Sequence, residues 1–309
     1  MTLIIRAIKY YVLPAVLLFI GCFSSALFNQ KTHSADDNFD VQHIRSIRNL
    51  EAFPNCTAPS FSVEKAKEIF DKPFTYLKRG VQFFVFESAD HQYVLKFYKQ
   101  HRLKEKPVWL AKALFPSLQA PWEKKNLERK KLADALFGGV VLAYQNLPEE
   151  TGILAIQFNK KGPFHQTVRL VDKLGIQYQV DLARHPFILQ KKICTSENYF
   201  KEITKKNDEK KIKSALNNIL TAIEARCQKG IFDEDTAVLQ NLGFTAEGEA
   251  IFIDFGQYVL DANIADWQRT QEEKVRRVEK IKEWAEKECP RLVTYLDRTL
   301  IDLLQTCNS

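Results

Sequence analysis

The chain has 309 residues, 45% apolar and 27% charged, an ordinary globular composition with room for one large domain or two lobes sharing a cleft. Its 45 basic and 38 acidic residues leave a net +7 that reads as spread along the chain, with no long block of one sign, so a lysine-rich solvated surface accounts for it. With no zinc spacing, no basic-aromatic stripe and no nucleic-acid motif, a nucleic-acid reader is excluded.

The six cysteines form no CxxC pair, which argues against zinc. Five follow the first apolar segment, an odd number that does not suggest a disulfide framework. One bridge, for instance between Cys289 and Cys307, is open to the chain if the domain meets an oxidising compartment.

Residues 1–9 form a basic flank carrying Arg6 and Lys9, and residues 10–28 run 19 positions without a charge. As a helix that stretch covers about 28 Å, close to a ~30 Å hydrocarbon core. Three membrane readings compete: an uncleaved signal anchor, a cleavable signal peptide with small residues at Ser24-Ser25-Ala26, and a lipoprotein signal ending at Cys22. The length of the run favours the anchor. In each case the positive end stays cytoplasmic and the body of the protein lies on the non-cytoplasmic side, anchored or secreted. Residues 29–58 are polar and read as a tether.

From Ser62 a helix is expected, capped by Ser62 and ended by Pro73. Residues 74–99 alternate like two strands around a turn at Ala89-Asp90. Residues 121–137 predict a charged amphipathic helix. After Gly138-Gly139, "VVLAYQNL" and "GILAIQF" read as a hairpin, and "TVRLV" with "IQYQVDL" as a second one turned at Lys173-Leu174-Gly175. Residues 187–192 close a β-rich half.

The pattern then turns helical. A long helix is expected within 199–230, with Ile212, Leu216, Ile219, Leu220 and Ile223 as its apolar face. A loop and a short strand lead into Asp254, and two helices divided by Pro290 fill 263–306. The expected organisation is a β-rich lobe over 59–192, a reduced helical lobe over 193–309, and a cleft between.

Three residues stand out along this order. Lys96 lies on a strand in "YVLKF", Asn241 follows the long helix in "DTAVLQNLGF", and Asp254 opens "DFG" 13 residues later. The hairpin "NLGFTAEGEAIFID" folds the last two toward each other. Each alone has a plain alternative: a solvated strand lysine, turn chemistry at Asn-Leu-Gly, and a bend at Asp-Phe-Gly. Their common order resembles the protein-kinase-like fold, over about residues 62–260.

That resemblance implies a two-lobed α+β fold in which Lys96 meets the phosphates of ATP, while Asn241 and Asp254 supply oxygens to Mg²⁺. It also implies a base position five residues before the Asn, where this chain has Thr236; Asp235 and Asp233 are the nearest carboxylates, Asp235 preferred. The nucleotide-covering loop "YLKRGVQFFVF" keeps only Gly80 of its glycines, Val85 fits the adenine-packing position, and bulky Phe83 stands toward the phosphates. The partner of Lys96 would sit on the following helix, at Glu128 or Glu123, with Glu128 nearer its middle. No A-P-E triplet follows Asp254. The expectation is thus an atypical phosphotransferase with an unassigned acceptor or protein partner. A pseudokinase scaffold and an unrelated envelope α+β binding protein are the alternatives.

Overall fold

The structure is a computed structural model that describes residues 39–307. The basic flank, the apolar stretch 10–28 with Cys22, and the first part of the tether lie outside the described residues. Among the described residues no helix is long and apolar enough to cross a membrane.

In chain order, α1 (Val41–Ile44), β1 (Cys56–Thr57) and α2 (Val63–Phe70) precede a meander of β2 (Phe74–Arg79), β3 (Phe83–Ser88) and β4 (Tyr93–Tyr98). Then come α3 (Val108–Leu114), α4 (Gln119–Asn146), α5 (Pro148–Thr151), β5 (Ile153–Gln157), β6 (Thr167–Val171), β7 (Gln177–Asp181) and β8 (Phe187–Lys191). Next are β9 (Cys194–Thr195), α6 (Ser196–Lys205), α7 (Glu209–Gln228), β10 (Ile231–Asp233) and α8 (Val238–Asn241). The chain ends with β11 (Leu242–Phe244), β12 (Ala250–Phe252), β13 (Tyr258–Leu260), α9 (Trp267–Glu288) and α10 (Val293–Cys307).

The architecture is mixed α+β. A curled eight-stranded sheet runs β1-β5-β8-β4-β3-β2-β6-β7. Its pairings are antiparallel except β2 with β6. Successive side chains of a strand point to opposite faces, and here both faces are covered. Phe84, Phe86, Leu95 and Phe97 pack on one side with Phe39, Phe70 and Phe164. Phe83, Val85, Val94 and Tyr98 pack on the other with Leu136, Phe137 and Val140 of α4. Lys96 shares parity with Val94 and Tyr98, so it points to the α4 face.

Several expected elements form as read. Ser62 caps α2, its Oγ accepting from Lys65 N at 3.1 Å. The hairpins β6–β7 and β11–β12 pair in register, and a turn at Pro290 divides α9 from α10.

Other elements differ. The pair expected over 74–99 is three strands, because a second turn at Gly80–Gln82 separates β2 from β3. "VVLAYQNL" is no strand: α4 runs through Gly138-Gly139 to Asn146. The helix tolerates these glycines because Gly139 is where it closes on another segment. A Cβ there would lie 2.2 Å from the carbonyl oxygen of Phe255. The long helix expected within 199–230 forms as α7, with Ile212, Leu216, Ile219 and Ile223 buried, and a shorter α6 precedes it, separated where Asn207 takes φ +52° and Asp208 caps α7 through Lys211 N. The stretch read as a tether enters the described residues at Phe39 and packs from there. Phe39 makes edge-on contacts with Phe84 and Phe86, and Ile44 and Leu50 are buried. Cys289 is a free thiol whose Sγ lies 3.0 Å from Thr204 Oγ1, and the side chain of Cys307, its candidate partner, lies outside the described residues.

Candidate functional site

The parity of β4 aims Lys96 inward, and it is buried with 7% of its surface exposed. Its Nζ donates to the carbonyl oxygen of Ile253 at 2.6 Å. The amide of that same residue donates to the carbonyl oxygen of Asn241 at 2.7 Å. Ile253, the residue before Asp254, therefore links the strand lysine to Asn241 at the end of α8. The β11–β12 hairpin produces this closure, pairing Leu242 with Phe252.

The electrostatics follow from burial. Desolvation pulls the Lys96 ammonium down to about 8; Asp254 opposes the shift and Lys78 adds to it. Burial and the Asp254 charge likewise push the phenol of the fully buried Tyr98 well up. Asp254 is half-buried, with Oδ1 accepting from Gly256 N at 3.2 Å. Asn241 is buried, its backbone N–H donating to Ala237 O at 3.0 Å. Among the described residues no group of three or more His, Cys, Asp or Glu converges as a metal cluster. The Asp254 carboxylate is a hard oxygen donor, and the backbone of Asn241 is bonded to the residue just before it.

The remaining expected residues fall into two groups. Val85 is buried and pairs directly with Lys96 across β3 and β4. The turn at Gly80 is closed by its amide to Phe83 O at 2.9 Å, and Lys99 Nζ donates to Gly80 O. Glu128 and Glu123 are exposed on the outer half of α4, and Glu123 bonds Gln119. The α4 face over the sheet is apolar, through Ala133, Leu136, Phe137 and Val140. Asp254, not a helix glutamate, is the carboxylate that acts on Lys96.

Asp233 and Asp235 part company. Asp233 is buried, facing Arg226 Nη1 at 3.1 Å and Arg277 Nη2 at 3.3 Å, and its Oδ1 accepts from Asp235 N at 3.0 Å. Such a carboxylate is a structural counter-ion. Asp235 is half-buried, with Oδ1 accepting from the Ala237 amide at 2.9 Å. Its backbone is clamped: Arg277 donates to the carbonyls of both Asp235 and Asp233.

That clamp is part of a buried network the sequence did not reveal. Glu273 accepts from Arg226 Nη2 at 2.5 Å, Arg277 Nε at 2.7 Å and Arg276 Nε at 2.7 Å. The only sequence signal was the i,i+4 spacing of Glu273 and Arg277, which on a charged helix is commonplace. Gln82 was also missed. Its amide sits so close over Gly256 that a Cβ there would lie 2.3 Å from Gln82 Oε1. Phe83 packs on Tyr98 with centroids 4.6 Å apart and the rings tilted by 50°, and Lys96 Nζ lies 5.9 Å from the Phe83 ring centre.

Two surface cavities lie away from Lys96. One of about 410 Å³ is lined by Asn207, Arg291, Tyr295 and Arg298, among others. A second of about 180 Å³ backs the Thr236–Gln240 loop against Trp284.

No family model matches the sequence, and no curated protein matches it. Among solved structures, the complex of Rv3197 with erythromycin from Mycobacterium tuberculosis is similar at 16% identity and a TM-score of 0.34. The match covers 64% of this chain and 49% of that one, so it spans about half of the other protein's length. A likeness of this size carries no argument about fold or ligand.

Proposed function

We propose that the chain is a protein-kinase-like domain, an atypical phosphotransferase that takes a magnesium-bound nucleoside triphosphate between a β-rich and a helical lobe. The observation that carries this reading is the Ile253 segment. Ile253, immediately before Asp254, accepts from the buried Lys96 ammonium of the sheet through its carbonyl oxygen and donates its amide to the backbone carbonyl of Asn241 in the helical half.

Each residue then has a task suited to its chemistry. Lys96 is a fixed cation on a rigid strand, and an incoming phosphate would supply the negative charge its burial lacks. Asn241 and Asp254 are hard oxygen donors, and Mg²⁺ needs only one or two from protein. The bound ion would neutralise phosphate charge during transfer. Asp235, less engaged than Asp233, would orient the acceptor hydroxyl, held in place by Arg277.

The stretch 10–28 belongs to the same proposal as a membrane anchor, with the domain on the non-cytoplasmic side.

A second reading, a pseudokinase scaffold, is favoured by one observation. Phe83 and Gln82 fill space beside Lys96 and Gly256 where a glycine-rich turn would leave room for phosphates.

Thermal denaturation of the full chain with ATP, with and without Mg²⁺, separates the two. Binding to the folded state at a hundred times Kd adds about 2.7 kcal/mol, a readable rise in Tm. A Mg²⁺-dependent rise supports the phosphotransferase, and no rise at millimolar nucleotide supports the scaffold.

A further inference from the structure

The charge of the chain is less even than its sign pattern suggests. Residues 102–131 hold nine basic and three acidic side chains, a surplus of six out of the net +7, so the rest is nearly neutral. This segment is the stretch leading into α3, α3 itself and the first half of α4. Residues 119–132 of α4 include no buried position, so about 21 Å of helix stands clear of the core. The two limbs are tied together: Lys106 N donates to Asn126 Oδ1 at 2.7 Å, and Asn126 Nδ2 to Lys106 O at 2.9 Å.

The same hairpin displays large apolar side chains to solvent. Trp109 is 72% exposed, Leu114 63% and Phe115 52%, with Leu118 and Leu127 also exposed. Lysines are interleaved with them. Lys112 follows Trp109 by one turn, and Lys124, Leu127 and Lys131 share a face at three- and four-residue spacing.

We propose that this helical hairpin docks on an anionic lipid bilayer. Tryptophan, phenylalanine and leucine enter the boundary between headgroups and acyl chains, while the surrounding lysines meet lipid phosphates. Charge decides the occupant. A second copy would bring the same surplus of six against this one and be repelled, whereas an anionic membrane complements it. Sequence length agrees. Only ten residues, 29–38, separate the uncharged stretch from Phe39, a span of at most about 35 Å. The docking does not depend on the nucleotide reading, but it bears on it. Gly139, on the same helix, lies against the Phe255 carbonyl, so hairpin and candidate site share one rigid element.

Tryptophan fluorescence tests this in the full chain, because tryptophan occurs only at 109, 122, 267 and 284 and residues 1–38 add no signal. The protein is reconstituted in vesicles with brominated acyl chains, made of phosphatidylcholine alone or with phosphatidylglycerol. The expected result is bromine quenching that is lost in Trp109→Phe and about two-fold stronger with the anionic lipid. It should also be lost when Lys124, Lys125, Lys130 and Lys131 are changed to Glu with the circular dichroism intact. Quenching that Trp109→Phe leaves unchanged, or that is equal in both lipids, would overturn the proposal. So would Trp109 shielded from aqueous iodide without bromine quenching, which would point to a protein partner.

Discussion

The ammonium of Lys96 is bonded to a backbone carbonyl, Ile253 O at 2.6 Å, rather than paired with a glutamate of α4. A buried cation held this way costs stability. Burial lowers its pKa from 10.5 to about 8, so between these values the unfolded chain binds more protons than the folded one. Stability from this group therefore rises with pH across that window, and its cost is complete below it. Lys96→Met should stabilise the protein at pH 7 by about 1–3 kcal/mol, the pKa shift less one lost hydrogen bond. The gain should shrink toward pH 10. Urea denaturation at both pH values checks it, and a less stable variant at pH 7 would mean that the lysine contributes net stability.

Adjacent glycines of α4 should respond in opposite senses. A Cβ on Gly139 meets backbone, Phe255 O at 2.2 Å, which cannot swing aside, so Gly139→Ala should cost about 1–3 kcal/mol. A Cβ on Gly138 meets nothing within 4 Å, so Gly138→Ala should add up to about 1 kcal/mol through helix propensity. Equilibrium unfolding of the two variants gives the signs directly.

Glu273 gathers Arg226, Arg276 and Arg277 around one carboxylate. Glu273→Gln leaves buried guanidiniums short of counter-charge and should cost about 3–5 kcal/mol. Burial alone would raise the carboxyl, but Arg277 and Arg226 outweigh it and hold it below its usual 4.5. Its stabilisation is thus present above that value and lost as pH falls through the lower, folded one. The gap between wild type and Glu273→Gln should close on acidification, which denaturation curves from pH 7 down to pH 3 would follow.

What the sequence made legible was local. The β11–β12 hairpin could be read because turn residues sit between short apolar runs, and that hairpin alone brings Asn241 beside Ile253. The inward aim of Lys96 was open, since a strand lysine faces core or solvent according to which face is covered. Gly138-Gly139 misled because glycine propensity is a local cost, whereas the approach of Phe255 that repays it comes from more than a hundred residues away. The Arg226–Glu273 contact was hidden for the same reason, its partners being 47 positions apart. The charge surplus of 102–131 was there to be counted, but its meaning depended on seeing that, among the described residues, nothing buries residues 119–132 of α4.

The central claim is that Asp254 is a metal ligand and not merely the first residue of a bend. Calorimetric titration of Mg-ATP into the full chain and into Asp254→Ala tests it most directly. The expected result is Mg²⁺-dependent binding by the wild type that Asp254→Ala loses. Equal affinity in the two proteins would contradict it.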